Sequence, residues 1–316
     1  MTYSIVARDP DTGDLGVAVQ SKFLAVGAVV PWARAGVGAI ATQSFANVAY
    51  GPDGLALLAG GASAQEALDR CVAADDLRTE RQAGVVDAAG RGATYTGGGC
   101  FAWAGGRTGH GFAAQGNILA GAAVVDGLAD TYLAGDSPFP ELLVRCLAVA
   151  DAAGGDRRGR ESAALLVVRA GGGYGGGNDR WIDLRVDNHP DPIGELGRLL
   201  DLQRLYLGRS SPDDLVPIDA DLAAELRRHL ERFGAQPGGW TTTVFARMES
   251  PSVAEPARER PTIGQPRPLP VGWDAGWHQA LADWMSVENL EERMAASGWI
   301  DPRVLQVLRS RAANGR

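Results

Sequence analysis

The sequence predicts an α+β fold. Three observations carry this expectation. Strand-like and helix-like runs come in blocks, in the order strands, helix pair, strands, helix pair, strands, helix. Several strand-like runs are joined by stretches dense in Asp, Gly and Pro, the chemistry of tight turns. A long amphipathic stretch, 192–207, closes the series with Leu196, Leu199, Leu200 and Leu207 on one stripe.

The elements follow in order. Ser4-Ile5-Val6-Ala7 reads as a strand and 15–20 as its return, across Asp9-Pro10-Asp11-Thr12-Gly13-Asp14. Residues 25–30 and 37–42 are expected as two more strands, separated by Pro31-Trp32-Ala33-Arg34. Two helices are expected over about 52–75, the second opened by Ser63-Ala64-Gln65-Glu66 in capping-box spacing. Residues 82–86 and 93–96 read as a hairpin, and 112–117 as a strand that ends in polar residues. Helices are expected at 124–133 and 141–149, then a strand pair, 163–168 and 181–186, around the glycine run 171–176. From Ser210 the composition shifts. Residues 222–233 read as a helix, 235–272 as a Pro- and Gly-rich linker, and 273–284, 287–296 and 302–312 as helices. The expected organisation is a main domain over 1–209, a helix plus linker over 210–272, and a small helical module over 273–316.

Of 316 residues, 45% are apolar and 22% charged, so a sizeable core is affordable. A net charge of −8 argues against a nucleic-acid binder and against docking on an anionic membrane. No apolar run reaches the roughly 18 residues of a spanning helix. The first residues lack the basic and apolar regions of a signal peptide, and Cys71, Cys100 and Cys146 lack ligand spacing. A reducing cytoplasm is therefore expected. The four histidines are scattered, so no metal is expected and no cofactor is called for. The run Gly171-Gly172-Gly173-Tyr174-Gly175-Gly176 satisfies G-x-G-x-x-G in form, but the alternating 181–186 follows it instead of a helix. That context suits a hairpin tip and not a dinucleotide loop.

The chemistry concentrates near the first strand. Thr2 follows Met1, and aminopeptidases remove Met before small residues. A terminal threonine then carries both a hydroxyl nucleophile and an α-amine base titrating near pH 7.7–8.0. Lys22 is the only lysine, every other cation of that kind being Arg, and it falls back toward the Thr2 end of the hairpin. A compact ammonium there is expected to lower the amine's pKa. Gln43-Ser44-Phe45-Ala46-Asn47 and Gln115-Gly116-Asn117 each close a strand. Their amides are equally suited to capping turns and to a pocket, where Asn47 or Asn117 would donate to an oxyanion and Gln43, Ser44 and Gln115 would contact substrate. Arg157, within Gly155-Asp156-Arg157-Arg158-Gly159-Arg160, reads as a solvated charge or as a clamp for a substrate carboxylate.

Thr2 to Asp9, Phe23 to Ala33 and Ala41-Thr42-Gln43-Ser44 resemble the bacterial domain-of-unknown-function family 1028, and the likeness runs over roughly 2–207. That family is grouped by fold with the N-terminal-nucleophile (Ntn) hydrolases. The resemblance implies a four-layer αββα sandwich and an amidohydrolase acting through Thr2 on a small polar or peptide-like substrate. In proteasome-like members an aspartate follows the second strand, and here Gln20 takes its place, which leaves open what steadies Lys22. Two other classes stand beside this one: a protein that keeps the sandwich to bind a small metabolite, and an assembly scaffold. Trp277 to Leu281, Trp284-Met285 and Glu288 to Arg293 resemble a small domain catalogued as peptidoglycan-binding. Without an export signal it is read as a packing or oligomerisation module, and a homo-oligomer is expected.

Overall fold

Seven residues of nearly unbroken burial, Thr2–Arg8, form strand β1, and Leu15–Ser21 returns beside it as β2. The computed structural model describes residues 2–237, 239–240 and 262–314. In the first, larger unit, Met1–Asp201, the strands are β3 (Pro31–Arg34), β4 (Gly38–Ser44), β5 (Arg81–Asp87), β6 (Gly92–Thr96), β7 (Gly105–Gly109), β8 (Phe112–Asn117), β9 (Ser162–Val168) and β10 (Arg180–Val186). The helices are α1 (Tyr50–Ala59), α2 (Ala64–Ala73), α3 (Ala122–Ala134), α4 (Phe139–Ala152) and the start of α5 (Pro192–Leu207). Six strands pair in the order β10-β9-β2-β1-β8-β7 and four in the order β3-β4-β5-β6, every neighbour antiparallel.

Alternation along β1 and its neighbours sorts the core into separate apolar clusters. Tyr3, Ile5, Ala18 and Leu165 pack with Leu128, Leu143 and Leu196 of α3, α4 and α5. On the opposite face of the same strands, Val6, Val17, Val19 and Leu166 share a cluster with Ala39, Ala41 and Val86 of β4 and β5. The other side of β4 and β5, through Ile40, Ala83 and Val85, meets Tyr50, Leu58 and Leu68. Helix α2 opens with the expected capping box. Ser63 Oγ accepts from Glu66 N, and Ser63 N donates to Glu66 Oε2 at 2.8 Å.

Two expected elements differ. Residues 25–30 do not form a strand: Ala25 takes a left-handed conformation (φ 54°) and Val26–Ala28 is a 3-10 turn. The apolar run still buries Val26 and Val30, and burial alone does not separate a strand from a buried turn. The strand is Pro31–Arg34 instead, at the sheet edge, where Pro is tolerated.

The second unit, Leu202–Arg316, contains α6 (Ala220–Arg232), α7 (Ala275–Val287), α8 (Pro302–Asn314) and two short strand pairs, β11 (Val216–Pro217) with β14 (Trp299–Ile300) and β12 (Ala235–Gln236) with β13 (Gly239–Trp240). Leu226 and Leu230 of α6 share one apolar cluster with Trp277, Trp284, Val304 and Leu308. Buried Arg293 pairs with Asp301 at 3.1 Å and donates to the Leu205 carbonyl at 2.6 Å. The expected helix 287–296 is overturned. Asn289 takes a left-handed conformation (φ 57°), Asn289 N donates to the Ser286 carbonyl and Leu290 N to the Met285 carbonyl. That is a Schellman stop with Asn in the usual Gly position. Most of the expected linker, 241–261, lies outside the described residues. No helix among the described residues is long and apolar enough to cross a membrane.

Candidate functional site

Strand β1 begins at Thr2, and its two neighbours set Ser21 and Asn117 opposite that residue. Thr2, Ser4 and Val6 share the strand face that carries the cluster with β4 and β5. That face is apolar at Val6 and wholly polar by Thr2. Thr2 Oγ1 lies 3.0 Å from Ser21 Oγ. Gln115 Nε2 donates to Ser4 Oγ at 2.7 Å, and Ser4 Oγ donates to Gln43 Oε1 at 2.7 Å, crossing from one sheet to the other. Gln43 Nε2 donates to Gln82 Oε1 at 2.8 Å and to the Thr2 carbonyl at 3.3 Å. Asn117 Nδ2 donates to the same Gln82 Oε1 at 2.8 Å, and Gln82 Nε2 donates to the Gly116 carbonyl at 2.7 Å. All these side chains are buried. They form an uncharged network that holds Thr2 at the rigid end of a central strand.

The structure therefore brings Thr2, Gln43, Gln115 and Asn117 together. Ser44 ends β4 one residue beyond Gln43 in a left-handed conformation (φ 70°). Lys22 follows Ser21, and its backbone N–H donates to Asp156 Oδ2 at 3.1 Å. Its ammonium lies 3.2 Å from Glu161 Oε2 and 3.3 Å from the Arg160 carbonyl, with the side chain 40% exposed. Asn47 takes the turn-capping position: Nδ2 donates to Asp75 Oδ2 at 2.9 Å and Oδ1 accepts from Ala49 N. It borders an open groove of about 820 Å³ with Tyr50, Asp53, Arg70 and Asp75. Arg81 donates to Asp75 at 2.8 Å and, with Asn47 and the Leu77 N–H, holds its carboxyl well below the usual carboxylate range against the opposing effect of burial. Arg157 is exposed, its backbone N–H bonded to the Ile118 carbonyl at 3.2 Å next to Asn117, and no ion pair engages its guanidinium among the described residues.

Backbone strain marks this end of the sheets. Ser44 and Ile118 have positive φ at and just beyond the ends of β4 and β8, and Ala25 does four residues beyond β2. A β-branched residue such as Ile118 pays most for that conformation, and such outliers concentrate where function overrides local preference. Gln20 lies one residue from Ser21 on the opposite face, fully buried, with neither amide atom hydrogen-bonded among the described residues.

Sequence reasoning does not single out Ser21, Gln82, Asp156 or Glu161. Ser21 is legible from the hairpin register, which sets it opposite Thr2. Gln82 opens an expected strand, and alternation puts it on the face of Gly84 and Val86. Asp156 and Glu161 meet Lys22 across more than 130 residues of sequence, and no local signal announces such a pairing.

A family model described as "Family of unknown function (DUF1028)" matches residues 2–196, and the chain belongs to that family. Residues 266–308 match a second model, described as "Putative peptidoglycan binding domain". Among solved structures, the chain is similar to the crystal structure of protein SPO2555 from Silicibacter pomeroyi, which carries the same family assignment. The identity is 30% and the TM-score 0.59, over 64% of this chain and 89% of that one. No curated protein matches the chain.

Proposed function

We propose that this chain is an Ntn-type amidohydrolase on a four-layer αββα sandwich, with Thr2 as nucleophile once Met1 is removed. The observation that carries the reading is the setting of Thr2. Its hydroxyl meets Ser21 at 3.0 Å at the end of a central strand, and Gln43 holds its carbonyl. The sandwich reading rests on the three apolar clusters that follow β1 and its neighbours, the strands β4 and β5, and the helices beyond each.

In this mechanism the Thr2 α-amine takes the Oγ1 proton as Oγ1 attacks the substrate carbonyl carbon. The oxyanion is met by backbone N–H groups or by the second N–H of Asn117, whose first is committed to Gln82. The ammonium returns its proton to the leaving amine as the C–N bond breaks, leaving an ester on Thr2. Water, deprotonated by the same amine, hydrolyses that ester. Arg157 supplies a cation for a substrate carboxylate. Lys22, balanced by Glu161, fixes the exit of β2 and contributes only a screened charge. A cytoplasmic homo-oligomer, with the C-terminal unit as a packing module, completes the proposal.

The test is turnover of an amide panel by wild type and Thr2→Ser, with Thr2→Ala as control. Activity in the first two and none in the third supports the assignment. Equal activity in all three refutes it.

A further inference from the structure

The large apolar side chains exposed on this molecule are not scattered. Among the described residues, Phe23, Phe45 and Phe101 are the exposed phenylalanines, at 53%, 59% and 61%. Each is tied to a different neighbour of Thr2. The Phe23 carbonyl accepts from Ser162 Oγ, and Ser162 pairs with Ser21, which faces Thr2. Phe45 follows Ser44 and Gln43, whose amide holds the Thr2 carbonyl. The Phe101 carbonyl accepts from Ile118 N at 2.9 Å, and Ile118 follows Asn117, which faces Thr2 from the other side. Leu24, Val48 and Leu77 stand exposed on the same connections or the one leading into β5.

The spacing follows from sheet geometry. Strands β2 and β8 flank β1, so their exits lie about 10 Å apart, and β4 belongs to the facing sheet about 10 Å away. The three exposed phenylalanines thus stand on three separate connections, each joined to a residue that flanks Thr2. A surface made to pack a second copy would be depleted in charge at its centre. Here Lys22 and Glu161 pair beside Phe23, and Arg157, without an ion pair among the described residues, is bonded through its backbone to Ile118.

We propose that these connections form a rim that selects peptide-like amides with a bulky apolar or aromatic side chain beside the scissile bond. This rests on the Thr2 reading and supplies its substrate class. Phe45 and Phe101 are the specificity-determining residues, with Phe23 on the third side.

The test separates binding from turnover. Isothermal titration of the wild-type full chain with N-acetyl-phenylalaninamide and N-acetyl-glycinamide is expected to show the former binding at least about tenfold tighter, as a ring leaving water requires. The double variant Phe45→Ser/Phe101→Ser should lose that preference, with its melting temperature unchanged because both rings are already exposed. Equal affinity of wild type for the two amides, or a preference that survives in the variant, overturns the inference. So does a wild-type oligomer that the double variant dissociates, since the rim would then cover a second copy. Binding with preference but no hydrolysis sinks the amidohydrolase reading alone, and hydrolysis without preference sinks the substrate class alone.

Discussion

Thr2 Oγ1 meets Ser21 Oγ, and Gln43 takes the Thr2 carbonyl. Thr2→Ala is therefore expected to abolish amidase activity while costing only about 1 kcal/mol of stability, the worth of one hydrogen bond. Thermal unfolding beside turnover checks both halves. Lys22 gives a finer test. Its pairing with Glu161 leaves little net charge, so Lys22→Met should move the acidic limb of the pH–kcat/KM profile upward by less than about one unit. A larger shift means that the lysine itself tunes the amine. Asp75 tests structure alone. Its depressed carboxyl stabilises the fold above an unfolded pKa of about 3.9 and loses that contribution as pH falls through its folded value. Asp75→Asn leaves Arg81 half-satisfied and should cost about 3 kcal/mol at pH 7. The gap in melting temperature to wild type should start to narrow below about pH 4 and keep narrowing as pH falls toward the folded value, and a gap that stays constant over that range contradicts the pairing.

At the scale of elements, the polar network leaves no room for a side chain on Gly84. A Cβ on Gly84 would lie 2.0 Å from Gln115 Oε1. Gly84→Ala is thus expected to displace Gln115 from Ser4 and cost about 1–3 kcal/mol, read from chemical denaturation. A neutral result would mean that the network tolerates repacking. Much of this scale is legible in the sequence. The first hairpin, the capping box at Ser63 and the limits of α5 at Pro192 and Leu207 follow from turn chemistry and periodicity. What escapes has physical reasons. Residues 25–30 include the buried Val26 and Val30, and Val26 N is held by a distant bond to Ser162 Oγ. Strand β7 is Gly105-Gly106-Arg107-Thr108-Gly109, an edge strand with no apolar alternation to betray it. Among site residues, Thr2, Gln43, Gln115 and Asn117 are legible as polar strand ends. Their connection through Gln82 depends on the packing of two sheets and has no local signature.

At the scale of the whole molecule, the two units divide at Asp201 and Leu202, inside α5. We propose that the site is complete without the C-terminal unit, because every residue named in it precedes Asp201. A fragment spanning 1–209, which keeps α5 whole, is expected to unfold cooperatively and to retain amide turnover. A molten fragment would show that the C-terminal helices belong to the core of the first unit. The central claim is that Thr2 becomes a free, acylated N-terminus. The most direct measurement is the mass of the N-terminal peptide after incubation with an amide panel and acid quench. The peptide is expected to begin at Thr2, part of it heavier by one acyl group that fragmentation places on that residue. A peptide that retains Met1, or an acyl group located on any other residue, contradicts it.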